Sequence, residues 1–226
     1  MERFNVVVCG FGQYEGVTVN PAYEVPRALA TQGLGVPVDE DDPLNDVDVA
    51  VSAVSMPVSF TKSWPVLHEA IEATNPRIVV AMGLKKAARG IALERCATNR
   101  VGDDRPDADN VTPTYETINP DGPAAYWTRL PLRAILADFT AGNIPATLSS
   151  DAGTYVCNSL FYQLLDWTAS QERVISGFVS LPMVNESGDR STPGLPLNQQ
   201  IEAGRAVIRE AVRYWRQPSS ADILIA

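Results

Sequence analysis

The segment Phe4-Asn5-Val6-Val7-Val8-Cys9, which Gly10 follows, predicts the fold class most directly. A short β-branched run that ends at glycine predicts a buried strand. Working outward from it, the apolar patterns predict further strands at 47–54, 77–82, 146–148 and 174–181, and helices at 20–29, 60–74, 130–141, 153–169 and 197–216. Because strands alternate with helices from end to end, we expect one α/β domain over residues 1–226 with a largely parallel sheet.

Two segments depart from this regular pattern. Pro26 lies inside the first predicted helix, which we therefore expect to be short or kinked. Residues 102–122 contain five aspartates, three prolines and little apolar content, which predicts a long irregular excursion.

Composition and charge exclude several function classes. The chain has 226 residues and a formal net charge of −9, which argues against nucleic acid or an anionic membrane surface as partner. Its three cysteines, at positions 9, 96 and 157, are too widely spaced for a disulfide framework or a structural zinc site. We find no signal-peptide pattern and no apolar run of about 18 residues, so we expect a reduced, cytoplasmic protein.

Cys157 is the candidate nucleophile. It lies in Ser149-Ser-Asp-Ala-Gly-Thr-Tyr-Val-Cys157-Asn158, where a turn gives way to a predicted helix. Free N–H groups and the positive end of the helix dipole favour a thiolate at such a position. Cys157 also precedes Leu160 and Phe161 by three and four residues, so periodicity alone favours a small core residue.

The remaining reactive residues give weaker signals. His68, the one histidine, lies on a predicted helix beside Glu69 and is typical of a solvated surface residue. Glu94 is either a partly buried carboxylate or half of an exposed pair with Arg95. The glycines of the loop 10–16 do not have the spacing of a dinucleotide-binding loop, and a close-packed turn accounts for them better.

Three segments together resemble the pyroglutamyl peptidase I family of cysteine peptidases. They are Gly10-Phe-Gly-Gln-Tyr-Glu-Gly16 with Val19-Asn-Pro21, then Ile91-Ala-Leu-Glu-Arg-Cys-Ala-Thr-Asn99, and finally Gly122-Pro-Ala-Ala-Tyr-Trp-Thr128 followed by Ala152-Gly-Thr-Tyr-Val-Cys-Asn158. The resemblance implies a three-layer α/β/α domain with a mixed, largely parallel sheet. It also implies no metal or cofactor, a small-molecule or peptide substrate, and a homo-oligomer, either a dimer or a tetramer.

The resemblance also implies roles for individual residues. Cys157 matches the nucleophile and Glu94 the acidic member of the triad. Ser180, in Gly177-Phe-Val-Ser-Leu-Pro182, stands where the family has its catalytic histidine, and Leu84 stands where a glutamine recognises the lactam. The substrate-binding positions that the resemblance implies are Phe11, Tyr14, Asn20, Leu84, Tyr155, Val156 and Arg105.

A serine hydroxyl cannot hold the thiol proton near neutral pH, so we expect ordinary pyroglutamyl-peptide hydrolysis to be absent or weak. Three hypotheses remain open. The chain is a cysteine-dependent enzyme with altered chemistry or substrate (acyl transfer, cyclisation, or hydrolysis of a small cyclic amide or ester), a non-catalytic protein that binds a small molecule or protein partner, or a nucleotide-binding protein that uses the glycine loop.

Overall fold

The computed structural model describes residues 2–12, 16–37, 40, 42–102, 105–187 and 192–223. Its strands are β1 (Glu2–Phe11), β2 (Val47–Met56), β3 (Ile78–Leu84), β4 (Ile91–Glu94), β5 (Cys96–Thr98), β6 (Ala125–Trp127), β7 (Ala146–Ser149) and β8 (Ile175–Leu181). Its helices are α1 (Pro21–Gln32), α2 (Ser63–Thr74), α3 (Leu132–Ala141), α4 (Val156–Ala169) and α5 (Leu197–Arg216).

Six strands form the central sheet, in the order β2-β1-β3-β8-β4-β7. Neighbouring strands are parallel except for β4 and β8, which pair antiparallel. Strands β5 and β6 form a separate antiparallel pair. The predicted α/β domain with a mixed, largely parallel sheet is confirmed.

Alternation along the central strands divides the core into two halves. In β1, Phe4, Val6 and Val8 pack on one face with α1, α3 and α5. Val7 and Cys9 pack on the other face with α2 and α4. A strand that is covered on both faces has to be apolar at nearly every position, which explains the run at 4–9.

Helix α1 is longer than predicted, because it continues past Pro26 to Gln32. A proline at this position cannot donate a hydrogen bond to the carbonyl of Ala22, four residues before it. The backbone of Gly10 lies against that carbonyl, so closely that a Cβ on Gly10 would be 1.7 Å from the Ala22 oxygen. The proline and the glycine thus allow β1 and α1 to approach each other just before the functional site.

Residues 105–122 contain no helix or strand, as predicted for the excursion, but they are tied to the domain. The Asp107 side chain is buried and accepts hydrogen bonds from the backbone N–H groups of Phe60, Asp109 and Val111. The Tyr155 hydroxyl donates to the carbonyl of Pro106 at 2.9 Å. These bonds hold the start of the excursion beside the N-terminus of α4.

Candidate active site

Cys157 is the second residue of α4, and the extended residue Tyr155 precedes the helix as its N-cap. Close packing against β3 determines where the thiol lies. A Cβ on Gly83 would be 3.0 Å from Cys157 Sγ and 2.6 Å from the ring of Phe178. Only a residue without a side chain leaves room for the sulfur at this point of the sheet.

Asn158 joins α4 to the neighbouring strand. Its Oδ1 accepts from the Thr98 N–H at 3.0 Å, and its Nδ2 donates to the carbonyls of Thr98 and Arg100 at 2.9 and 3.0 Å. The side chain is buried, so these bonds are shielded from water. The sequence analysis did not predict this role for Asn158. An asparagine within an otherwise apolar helical stripe could have indicated a buried hydrogen-bonding residue.

Cys157 lines a cavity of about 260 Å³ at the carboxyl ends of β1 and β3. Every described residue that the resemblance implied for substrate binding also lines it, whereas Tyr14 falls outside the described residues. The lining residues are Phe11, Asn20, Ala22, Val58, Leu84, Lys86, Arg105, Tyr155, Val156 and Cys157.

Asn20 has a structural role in this wall. Its Nδ2 donates to the carbonyls of Phe11 and Gly12 at 3.0 and 2.6 Å, and its Oδ1 accepts from the Ala22 N–H at 3.1 Å. It therefore caps α1 and fixes the end of β1, which positions Phe11 in the cavity wall. Arg105 also lines the cavity, and its guanidinium stacks 4.0 Å from the Tyr155 ring centre.

Glu94 and Ser180 form a buried pair next to this cavity. Ser180 lies opposite Gly83 in the register of β3 and β8, and its hydroxyl donates to Glu94 Oε1 at 2.6 Å. Glu94 is fully buried and makes no pair with Arg95, so the alternative of an exposed charge pair is wrong. Glu94 Oε2 has no hydrogen-bond partner among the described residues.

Lys85 is a member of this site that sequence reasoning missed. Its ammonium lies 3.3 Å from Glu94 Oε1 and also donates to Ser149 Oγ at 3.2 Å and to the Asp151 carbonyl at 2.7 Å. A buried carboxylate requires a nearby cation or several hydrogen bonds. The alternation of side chains along β3 could have predicted this position, because Lys85 and Gly83 are two residues apart and lie on the same face of the sheet, whereas Leu84 lies on the other.

The thiol of Cys157 is protonated at neutral pH. Its pKa is raised to about 12, first by burial and second by the negative charge of Glu94, while Arg105 opposes the shift. This direction is opposite to the expectation that the helix N-terminus favours a thiolate, because both burial and the charge of Glu94 favour the protonated thiol. No described residue forms a hydrogen bond with Cys157 Sγ, so none of the described side chains is in hydrogen-bond contact with the thiol as a base.

His68 does not line the cavity. Its ring packs on Trp64, with ring centres 5.2 Å apart, and its Nδ1 lies 3.9 Å from Glu72 Oε1 on the surface of α2. Within the part of the chain that the structure describes, no group of three or more acidic, histidine or cysteine side chains could hold a metal ion. None of the described helices combines the length and the apolar character that crossing a membrane requires.

Comparison with known proteins agrees with this fold. The model of a family described as pyroglutamyl peptidase matches residues 4–214. The pyrrolidone-carboxylate peptidase of Bacillus subtilis (strain 168) is 33% identical over 214 residues, which are 94% of this chain and 94% of the relative.

Two solved structures have the same fold. Pyroglutamyl peptidase I of Bacillus amyloliquefaciens superposes with a TM-score of 0.80 at 31% identity, covering 94% of this chain and 98% of that one. The pyrrolidone carboxyl peptidase of Thermococcus litoralis gives 0.83 at 27% identity, covering 99% of both chains. Since the sequence match extends over nearly the whole domain, the chain belongs to the pyroglutamyl peptidase family of cysteine peptidases.

Proposed function

We propose that this protein is a cysteine-dependent acyl-transferring hydrolase whose chemistry differs from that of its named relatives. Cys157 is the nucleophile, and Ser180 with Glu94 takes the place of the imidazole-containing part of the triad. The observation that supports this most is that the Cys157 thiol faces a substrate-sized cavity beside the buried Ser180–Glu94 pair. Cys157 is also partly exposed, whereas its cavity-lining neighbours Ala22 and Val156 are fully buried.

The absent imidazole limits the reaction to good leaving groups. The small thiolate fraction, whose proton has passed to solvent, attacks the acyl carbon; a C–S bond forms and the bond to the departing group breaks. The departing group leaves as an anion or takes a proton from solvent. Water then hydrolyses the acyl–sulfur bond, which releases the acid and returns the thiol. With a pKa of about 12, the thiolate is a fraction of about 10⁻⁵ at neutral pH. An amine leaving group needs a proton donor, whereas a thiolate or activated alkoxide does not. We therefore propose esters, thioesters or strained cyclic amides as substrates, and weak hydrolysis of ordinary pyroglutamyl amides.

The cavity favours a small and largely apolar acyl group. Its volume of about 260 Å³ is just below the usual range of about 300–1,000 Å³ for ligand sites, and Phe11, Leu84 and Val156 form apolar walls. Leu84 offers no hydrogen bond to a lactam amide, and a polar group that is buried without a partner costs about 1–3 kcal/mol. A five- or six-membered ring with few polar atoms is the acyl group that fits best.

Acylation measured by mass spectrometry tests this proposal. We would incubate the protein with a short cyclic acyl thioester and with pyroglutamyl 7-amido-4-methylcoumarin, and map adducts on each cysteine peptide. We expect an adduct on Cys157 with the thioester, turnover that Cys157→Ala abolishes, and little release from the amide. The absence of both adduct and turnover with every ester and thioester would refute the enzyme hypothesis.

A histidine at position 180 distinguishes two reasons for weak amide hydrolysis: the missing general base and the altered substrate pocket. We expect Ser180→His to increase amide hydrolysis by about 10²-fold or more, because general acid–base help contributes about 10²–10⁴. If the amide reacts only when Leu84→Gln is added, the pocket limits the reaction as well. Ser176→His, a buried serine on the same strand, is the matched control.

A non-catalytic binding function is the second candidate. The observation that favours it is the protonated, unassisted thiol of Cys157, since a binding protein needs no nucleophile. In that case cyclic ligands raise the melting temperature while Cys157 stays unmodified, and Cys157→Ala binds them equally well.

We also propose that the protein acts in the cytoplasm as a homo-oligomer, a dimer or tetramer, without nucleic acid or membrane partners. The net charge of −9 supports the last part, because phosphate backbones and anionic lipids repel an acidic surface. Light scattering on the purified chain tests the oligomeric state; a monomer at working concentration would contradict it.

A further inference from the structure

A second cavity lies at the end of the sheet opposite Cys157. Its volume is about 600 Å³, within the usual range for small-molecule sites. It opens where β8 begins, at Val174 and Ile175, and shares no lining residue with the Cys157 cavity. Its other walls come from the segment after β6 and from the end of α5, at Tyr214 and Trp215.

Three arginines line this second cavity: Arg95, Arg129 and Arg173. None of their guanidinium groups has a carboxylate within 4.0 Å among the described residues, and Glu172 is the one acidic residue in the lining. In a chain with a net charge of −9, three cations without acidic partners around one cavity make a locally positive site. Such a site favours an anion.

The arginines are held in place before any ligand binds. Arg129 Nη1 donates to the carbonyls of Gln171 and Val174 at 3.0 and 3.3 Å. The Arg173 guanidinium stacks 4.1 Å from the Trp215 ring, whose Nε1 donates to the Arg173 carbonyl at 2.7 Å. Side chains that are already ordered lose less conformational entropy on binding, which favours affinity.

Trp127 provides an aromatic surface in the same cavity. It is 53% exposed, although indole rings of this size are usually well buried. The guanidinium of Arg95 lies 5.4 Å from its ring centre, which places a cation next to an open aromatic face. An aromatic ring of a ligand can stack on this indole while its charged group reaches the arginines.

From these observations we propose that the second cavity binds a small aromatic carboxylate. The planar carboxylate accepts paired hydrogen bonds from the guanidinium groups, and the ring packs against Trp127. With three arginines and one glutamate, the lining suits an anion of one or two negative charges. This site does not depend on the function proposed for Cys157.

Calorimetric titration of the full chain with indole-3-acetate tests the proposal, with the neutral isostere indole-3-acetamide as the comparison. We expect saturable 1:1 binding of the acid, and binding of the amide that is weaker by about tenfold or more, as expected for lost charge-assisted hydrogen bonds. Cys157→Ala should bind the acid like the wild type. Absence of saturable binding at millimolar concentration, or equal affinity for acid and amide, overturns the proposal.

Variants locate the site. We expect Arg95→Gln combined with Arg173→Gln to lower the affinity for indole-3-acetate by about tenfold or more. Arg100 is an exposed arginine outside the lining, so Arg100→Gln should leave that affinity unchanged. If the double variant does not fold, Trp127→Ala still serves, since its side chain is half exposed. Unchanged affinity in the cavity variants refutes the site. So does a loss of self-association in place of ligand binding, because the cavity would then be an interface between two copies.

Discussion

Alkylation of Cys157 is the sharpest test of the site, because its thiol pKa decides whether the protein is poised for attack. The pKa is raised from 9.0 to about 12. Because only the thiolate reacts, a group whose pKa is three units higher is ionised about 1,000-fold less at pH values below 9. Once formed, the Cys157 thiolate is about 15- to 30-fold more nucleophilic than the thiolate of an unperturbed cysteine, for a Brønsted slope of 0.4–0.5. The net expectation is alkylation about 30- to 60-fold slower than that of an unperturbed thiol.

The assay is iodoacetamide labelling followed by peptide mapping, so that Cys157 is distinguished from Cys9 and Cys96. We expect the rate at Cys157 to rise by about tenfold per pH unit from about pH 8 to about pH 11, without a plateau, as for a group that remains protonated there. Glu94→Gln removes the charge that is the second cause of the shift, so the pKa should fall and labelling should accelerate. Glu69→Gln, on the surface of α2, should change nothing.

A plateau near neutral pH would refute this reasoning. It would mean that the N-terminus of α4 and Arg105 stabilise the thiolate more than burial and Glu94 destabilise it. An unchanged rate in Glu94→Gln, with the expected slope intact, would leave desolvation as the sole cause of the shift.

Three further outcomes follow from the packing of the site. Lys85→Met removes the cation next to buried Glu94 and should lower the free energy of unfolding by about 1–3 kcal/mol in urea melts. The control Lys62→Met breaks an exposed pair with Asp109 and should lower the free energy of unfolding by less than about 1 kcal/mol. Asn158→Ala removes the side-chain partner of the Thr98 N–H and of the Thr98 and Arg100 carbonyls. The free energy of unfolding, measured by thermal melting, should fall by about 2–4 kcal/mol. A fall of less than about 0.5 kcal/mol would show that water replaces these bonds. Gly83→Ala introduces a Cβ at 2.6–3.0 Å from a ring and from the candidate nucleophile, so we expect a loss of about 1–3 kcal/mol and altered labelling of the thiol; wild-type behaviour in both measurements would contradict the close packing.

The five strands and five helices predicted from apolar patterns all occur, with ends that differ by a few residues. These elements were predictable because β-branched runs and helical stripes are long enough to show their period. Strand β4 was missed, since Ile91-Ala-Leu-Glu94 has four residues and no alternation, and its direction depends on pairing with β8. Strands β5 and β6 have three residues each, which is too short for any pattern.

The sequence by itself determined the α/β class and the family. It also determined which side chains surround the candidate nucleophile, because motif residues such as Phe11, Leu84 and Val156 do line one cavity with Cys157. Only the tertiary structure decided the protonation of that thiol and the pairing of Glu94 with Lys85. The reason is physical: local residue patterns determine backbone conformation and burial, whereas a pKa depends on the summed field and desolvation of groups brought together from distant segments. Glu94, Arg105 and Cys157 are far apart along the chain, and no local pattern states how close their charges lie in space.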